Sequence, residues 1–176
     1  MSGWQQHLPI LPIVVPMAVG AALLLIGESR RALRASIALL ATAAQLAIAL
    51  LLAAMTAGLL PAPWSGEIAV YSLGNWAAPV GIVLVADRLA SIMLVLTATL
   101  GLAALLYSMA RWERAGVHFL SLYQFLLMGI NGAFLTGDLF NLFVFFEVLL
   151  AASYGLALHG SGVMRVRAGL HYIAIN

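Results

Sequence analysis

Five stretches of about twenty residues, almost free of charge, constrain this chain more than any other feature. They are 8–27, 35–60, 89–110, 119–137 and 139–158, and together they hold one acidic residue and no arginine or lysine. Twenty residues of α-helix rise about 30 Å, the thickness of a bilayer's hydrocarbon core. The rest of the chain cannot supply a water-facing shell, because 64% of all residues are hydrophobic and 8% are charged. A soluble domain carries about 25% charged residues. The expected fold is therefore an all-α polytopic membrane protein. Cysteine is absent, which excludes disulfides, thiol nucleophiles, thiolate zinc sites and iron–sulfur ligation within this chain. The sequence shows no nucleotide-binding loop, nucleophile triad or redox motif, so no enzyme activity and no cofactor are expected. The arginines form short clusters without interleaved aromatics, and nucleic acid is not an expected partner.

A sixth run begins near Ala168 and reaches Asn176. Nine residues give only about 13 Å of helix. The chain is thus expected to stop inside a helix, as the N-terminal fragment of a longer protein and a single incomplete membrane domain. Residues 1–110 would carry helices one to three with an external loop at 61–86, and residues 117–176 helices four, five and the start of six. Residues 1–7 have no positive charge, so the N-terminus does not read as a cleavable signal. Pro9 and Pro12 fall in the first turns of helix one, and Pro16, deeper, is expected to kink it.

The arginines orient these helices. Arg30, Arg31 and Arg34 lie between runs one and two, Arg111 and Arg114 between three and four, and Arg165 and Arg167 between five and six. Only Arg88 falls on the other side. Seven of eight cations on one side is a positive-inside pattern. It predicts a multi-pass protein of the cell (inner) membrane, among membrane lipid, with the N-terminus outside. In the external loop, Pro61, Pro63 and Gly66 break helical structure. Segments 68–73 and 80–85, rich in Ile, Val and Tyr, read as a β-hairpin on the membrane surface. The alternative is an interfacial loop anchored by Trp64, Tyr71 and Trp76.

The acidic residue inside the apolar runs is Glu147. It lies nine residues after Asp138, about 13 Å along helix five and close to the expected midplane. A carboxylate there costs a few kcal/mol and persists only facing protein or water, protonated or paired. Hydrocarbon favours the neutral acid and a nearby cation favours the carboxylate, so a side chain between these pulls can load and release a proton. Phe143, Val144, Leu150, Ala151 and Tyr154 share its face by helical periodicity. Tyr154 either hydrogen-bonds the carboxylate or packs as an aromatic. No cation of this chain lies at comparable depth, so Glu147 is expected either to be protonated here or to have its partner past Asn176 or on another subunit.

Weaker polar signals surround it. Asn131 in helix four is either a satisfied interhelical contact or a holder of pathway water. Asp138 reads as the N-cap of helix five; alternatively Thr136, Asp138 and Asn141 offer oxygen ligands to a small cation such as sodium. His118, His159 and His171 fall near the cytoplasmic ends as solvated histidines, His159 alternatively as a water-mediated proton relay and His171 a few residues into helix six. Gln45 reads as an interhelical donor, and Gly129, Ala133 and Gly137 give small-residue spacing for close packing of helix four.

The segment from Gly129 to Gly155, and Gly-Asp-Leu-Phe-Asn-Leu-Phe-Val-Phe-Phe-Glu at 137–147 above all, closely resembles the D subunit of the multisubunit Mrp-type Na+/H+ antiporter. Gly74-Asn75-Trp76, residues 83–88 and Arg167-Ala-Gly-Leu-His-Tyr172 fit the same family. That family is similar to the antiporter-like membrane subunits of respiratory complex I. The resemblance implies a helical bundle with inverted repeats, the first beginning at run four. It implies that Glu147 stands where the family's helix-five glutamate pairs with a helix-seven lysine, beyond Asn176. It also implies partnership with other Mrp subunits, and proton translocation coupled to Na+ movement. Two readings compete: a proton-pumping membrane-arm component of a complex I-like or hydrogenase-linked oxidoreductase, and an inactive truncated membrane scaffold.

Overall fold

The structure is a computed structural model and describes residues 3–64, 66–76, 81–110, 118–160 and 162–175. A 3-10 helix, Gly3–Ile10, runs straight into α1, Leu11–Leu25. Then come α2 (Arg31–Thr56), α3 (Arg88–Met109), α4 (Phe119–Leu135), α5 (Leu139–Ala157) and α6 (Val163–Ile175). Two short strands, β1 (Ala69–Ser72) and β2 (Val83–Ala86), stand between α2 and α3. Four of these segments are long and apolar enough to cross a membrane: Gln5–Leu25, Arg31–Thr56, Arg88–Met109 and Leu139–Ala157. The apolar α4 is shorter, at 17 residues. This is a multi-pass helical membrane protein.

The helices follow the apolar runs closely, with two instructive shifts. Helix two starts at Arg31 instead of 35, and helix six starts at Val163 instead of 168. Arg31, Arg34, Arg165 and Arg167 therefore lie in helical turns and not in loops. Arginine is a good helix former, and its long stem can follow apolar surface while its head stays at the interface. The break between α5 and α6 comes instead from Gly160 and Gly162, at φ 87° and 116°, where a side chain would be strained. Arg111 and Arg114 lie outside the described residues.

Side-chain bonds fix the relative directions of the helices. Gln124 on α4 donates to the Ala38 carbonyl of α2, and seven residues on Asn131 donates to Gln45. Both numbers rise together, so α2 and α4 run parallel. Tyr123 ties α4 to α3 through the Gly101 carbonyl, at 2.6 Å. The short turn at 136–138 reverses the chain into α5. The starts of α2, α4 and α6 and the ends of α3 and α5 thus share one end of the bundle. Arg30, Arg31, Arg34, Arg165 and Arg167 all lie there. Arg88 lies at the opposite end, where its Nη2 meets Glu67 at 2.6 Å with both side chains exposed.

The opposite end is closed by the hairpin. β1 and β2 pair antiparallel, with Ala69 opposite Ala86 and Tyr71 opposite Leu84. Alternation puts Ala69, Leu84 and Ala86 inward, where they join Leu8, Leu52, Leu94, Leu135 and Phe145 in one buried cluster. Val70 points outward and is exposed. The hairpin is more than a surface ribbon, since its inner face is part of the core. Val80 of the expected second strand lies outside the described residues. The Gly137 N–H donates to the Val83 carbonyl at 2.8 Å, so the α4–α5 turn is fastened to the free edge of β2.

Candidate functional site

Helix α5 begins at a built cap. The Asp138 carboxylate accepts from the backbone N–H of Asn141 at 2.8 Å and also from the Asn141 side-chain amide. These bonds, with the Asn141 backbone N–H contributing most, hold the Asp138 carboxyl below its ordinary value, against a smaller opposing effect of desolvation. Thr136 donates to the Asp138 carbonyl at 3.2 Å. Thr136, Asp138 and Asn141 are thus brought together. The geometry is that of a helix N-cap: both carboxylate oxygens accept N–H groups of Asn141, and the charge sits at the positive end of the helix dipole.

Glu147 is the ninth of the 19 residues of α5. The helix buries Asn141, Phe145 and Ala152. Glu147 sits on the other side, itself exposed, with Phe143 62% and Phe146 46% exposed beside it. Val144 and Ala151 on its face are exposed too, while Leu150 and Tyr154 are half-buried. Among the described residues, no hydrogen bond or ion pair reaches the Glu147 carboxylate. Tyr154 meets the ring of Tyr172 on α6 edge-on, centroids 5.5 Å apart. His171 is exposed on α6, far along the chain from Asp138.

A second polar group, which the sequence only hinted at, lies inside the bundle. Pro16 has no N–H, so the Pro12 carbonyl one turn back has no helical donor. The Asn131 amide nitrogen donates to that carbonyl at 2.9 Å, and to Gln45 Oε1 at 3.0 Å. Gln45 donates in turn to Gln124 Oε1 at 3.3 Å. Gln124 donates to Thr42 Oγ1 at 3.0 Å and to the Ala38 carbonyl at 3.2 Å. Thr42, Gln45, Gln124 and Asn131 are all buried, and they join α1, α2 and α4. Gln124 and Thr42 escaped the sequence reading. The signal that would have found them is the carbonyl freed by Pro16, which demands a donor when it is buried in hydrocarbon.

This link makes a prediction. Asn131→Leu leaves the Pro12 carbonyl and Gln45 Oε1 without their donor and should cost about 2 kcal/mol. In a Pro16→Ala background the helix supplies its own N–H to Pro12, and the same substitution should cost about 1 kcal/mol. Thermal unfolding of the intact protein in detergent measures both. An equal cost in the two backgrounds would break the link.

His159 departs from expectation. It is 8% exposed instead of solvated, its ring 5.0 Å from that of Phe119, and its carbonyl accepts from Arg165. The cause is packing of the α5 end against the α4 start, a contact between distant parts of the chain. His118, exposed at the start of α4, adopts φ 67°.

No protein-family model matches the chain. The D subunit of a "Probable K(+)/H(+) antiporter" of Rhizobium meliloti (strain 1021) is 58% identical over 177 residues, covering 100% of this chain and 32% of that protein. Over its whole length the chain is therefore similar to part of an antiporter D subunit. The D subunit of the Na(+)/H(+) antiporter of Alkalihalophilus pseudofirmus (strain ATCC BAA-2126 / JCM 17055 / OF4) is 42% identical over 97% of this chain and 34% of its own length. A chain in the solved "Structure of Mrp complex from Dietzia sp. DQ12-45-1b" superposes with a TM-score of 0.86 at 31% identity, covering 99% of this chain and 32% of that one. A chain of the membrane-bound sulfane sulfur reductase, an archaeal respiratory membrane complex, reaches 0.78 at 23% identity and shares the fold. The relatives from Rhizobium and Alkalihalophilus are named as parts of transporters and not as enzymes. The chain spans about a third of the length of the curated relatives it matches.

Proposed function

We propose that this chain serves in the cell membrane as part of the D subunit of a multisubunit antiporter that exchanges a monovalent cation, Na+ or K+, for protons. In this reading Glu147 is the proton-loading carboxylate near the membrane midplane. The observation that carries it is the place of Glu147: mid-helix in an apolar α5, on the face turned away from α4. A carboxylate so placed needs a proton or a cation brought against that face. Protonation makes it neutral; an approaching cation favours release of that proton. The names of the relatives supply the exchanged ions, with K+ in one and Na+ in the other. The arginine-bearing end faces the cytoplasm and the hairpin end faces outward, by the positive-inside rule.

The redox-linked alternative has only shared fold behind it, and identity favours the antiporter. The test is proton movement in everted vesicles from cells that lack their own antiporters and express the intact protein with its partner subunits. A preformed pH gradient should collapse on adding NaCl or KCl. A gradient that no alkali cation dissipates would refute the proposal.

A further inference from the structure

Four helix termini converge at the arginine-bearing end and leave a pocket between them. Ser108 closes α3, Phe119 opens α4, Leu156 and Ala157 close α5, and Arg165 lies in the first turn of α6. With His159 these residues line about 390 Å3. Phe119, Leu156 and Ala157 give it apolar surface, and Ser108, His159 and Arg165 give it polar groups. The arginine is held in place, because its Nη1 donates to the His159 carbonyl.

The position of this pocket selects its occupant. It stands where transmembrane helices end, at the level where lipid headgroups meet acyl chains. Five arginines gather at this end of the bundle, and none of the described residues that line the pocket is acidic. A guanidinium carries five N–H donors in a planar fork that suits phosphate oxygens. Basic pockets between helix ends on the cytoplasmic side favour anionic headgroups. We infer that this pocket binds one anionic phospholipid, its phosphate against Arg165 and its glycerol and upper acyl chain along Phe119, Leu156 and Ala157. This does not depend on the antiporter reading, only on the membrane-spanning fold and on the arginine-bearing end facing the cytoplasm.

Native mass spectrometry of the intact protein, released from nanodiscs of phosphatidylglycerol mixed equally with phosphatidylcholine, tests it. Wild type should retain phosphatidylglycerol in preference to phosphatidylcholine, and Arg165→Gln should lower that preference about fivefold. Arg165→Lys, which keeps the charge, should retain most of it. Arg167→Gln, at an exposed position outside the pocket, should leave it in place. Thermal protection of wild type supplies a measurement independent of any variant: phosphatidylglycerol should protect and inorganic phosphate alone should not. Equal retention of the two lipids, an unchanged preference in Arg165→Gln, or equal protection by inorganic phosphate would each overturn the assignment.

Discussion

Glu147→Gln is expected to reduce cation-driven proton exchange to the background of vesicles lacking the protein, with the protein still in the membrane. Glutamine keeps the shape and hydrogen-bonding capacity of the protonated acid but carries no exchangeable charge. Glu147 is exposed and makes no bond among the described residues, so folding does not depend on its carboxylate. The loss should therefore appear in transport and not in assembly, which separates a proton-loading role from an inert membrane scaffold. Exchange is read as recovery of a quenched pH-sensitive dye on adding Na+ or K+; assembly is read by co-purification with the partner subunits. Wild-type exchange in Glu147→Gln would remove the role given to this residue. Glu147→Asp, which keeps the charge and shortens the reach, should retain part of the activity.

The second large effect lies in the packing that sets α5 in place. A Cβ on Gly129 would come within 2.8 Å of the backbone nitrogen of Leu149 on α5. Backbone cannot swing aside as a flexible side chain can. One turn on, the Phe145 ring lies against Gly132, where a Cβ would overlap it. Gly129→Ala should force the helices apart and cost about 3 kcal/mol, the upper end of the overpacking range. Gly27→Ala is the control, because among the described residues its Cβ would meet only Ser29 Oγ at 3.9 Å and its backbone is ordinary. Both are measured as thermal midpoints of the intact protein. Equal midpoints for the two variants would show that α4 and α5 can separate freely at this crossing.

The apolar runs made the helices legible, because twenty uncharged residues leave a backbone in hydrocarbon no other way to satisfy its hydrogen bonds. The hairpin was legible from its alternation and its bounding turn residues, though the strands are shorter than the apolar pattern. Arg165 and Arg167 misled the boundary of α6, since charge marks a membrane interface and not the end of a helix. The place of Glu147 within α5 was legible because it is the one carboxylate inside the runs. The buried polar group was not: Gln124 lies between Tyr123 and Phe125, and nothing local shows that it faces Thr42 and Ala38 on α2. The burial of His159 was hidden for the same reason, resting on Phe119, forty residues earlier in the chain.

The bond from Gly137 to Val83 has a mechanical corollary. It pins one tip of α5 to the hairpin, while the other tip leads through two glycines into α6. Midway along, Phe145 and Leu149 lie against Gly132 and Gly129 of α4, so the rod is anchored on its inner flank as well as at that tip. Glu147, on the outer flank about 13 Å from the pinned tip, therefore keeps a fixed distance from the hairpin, and a change in its surroundings must come from what moves toward it.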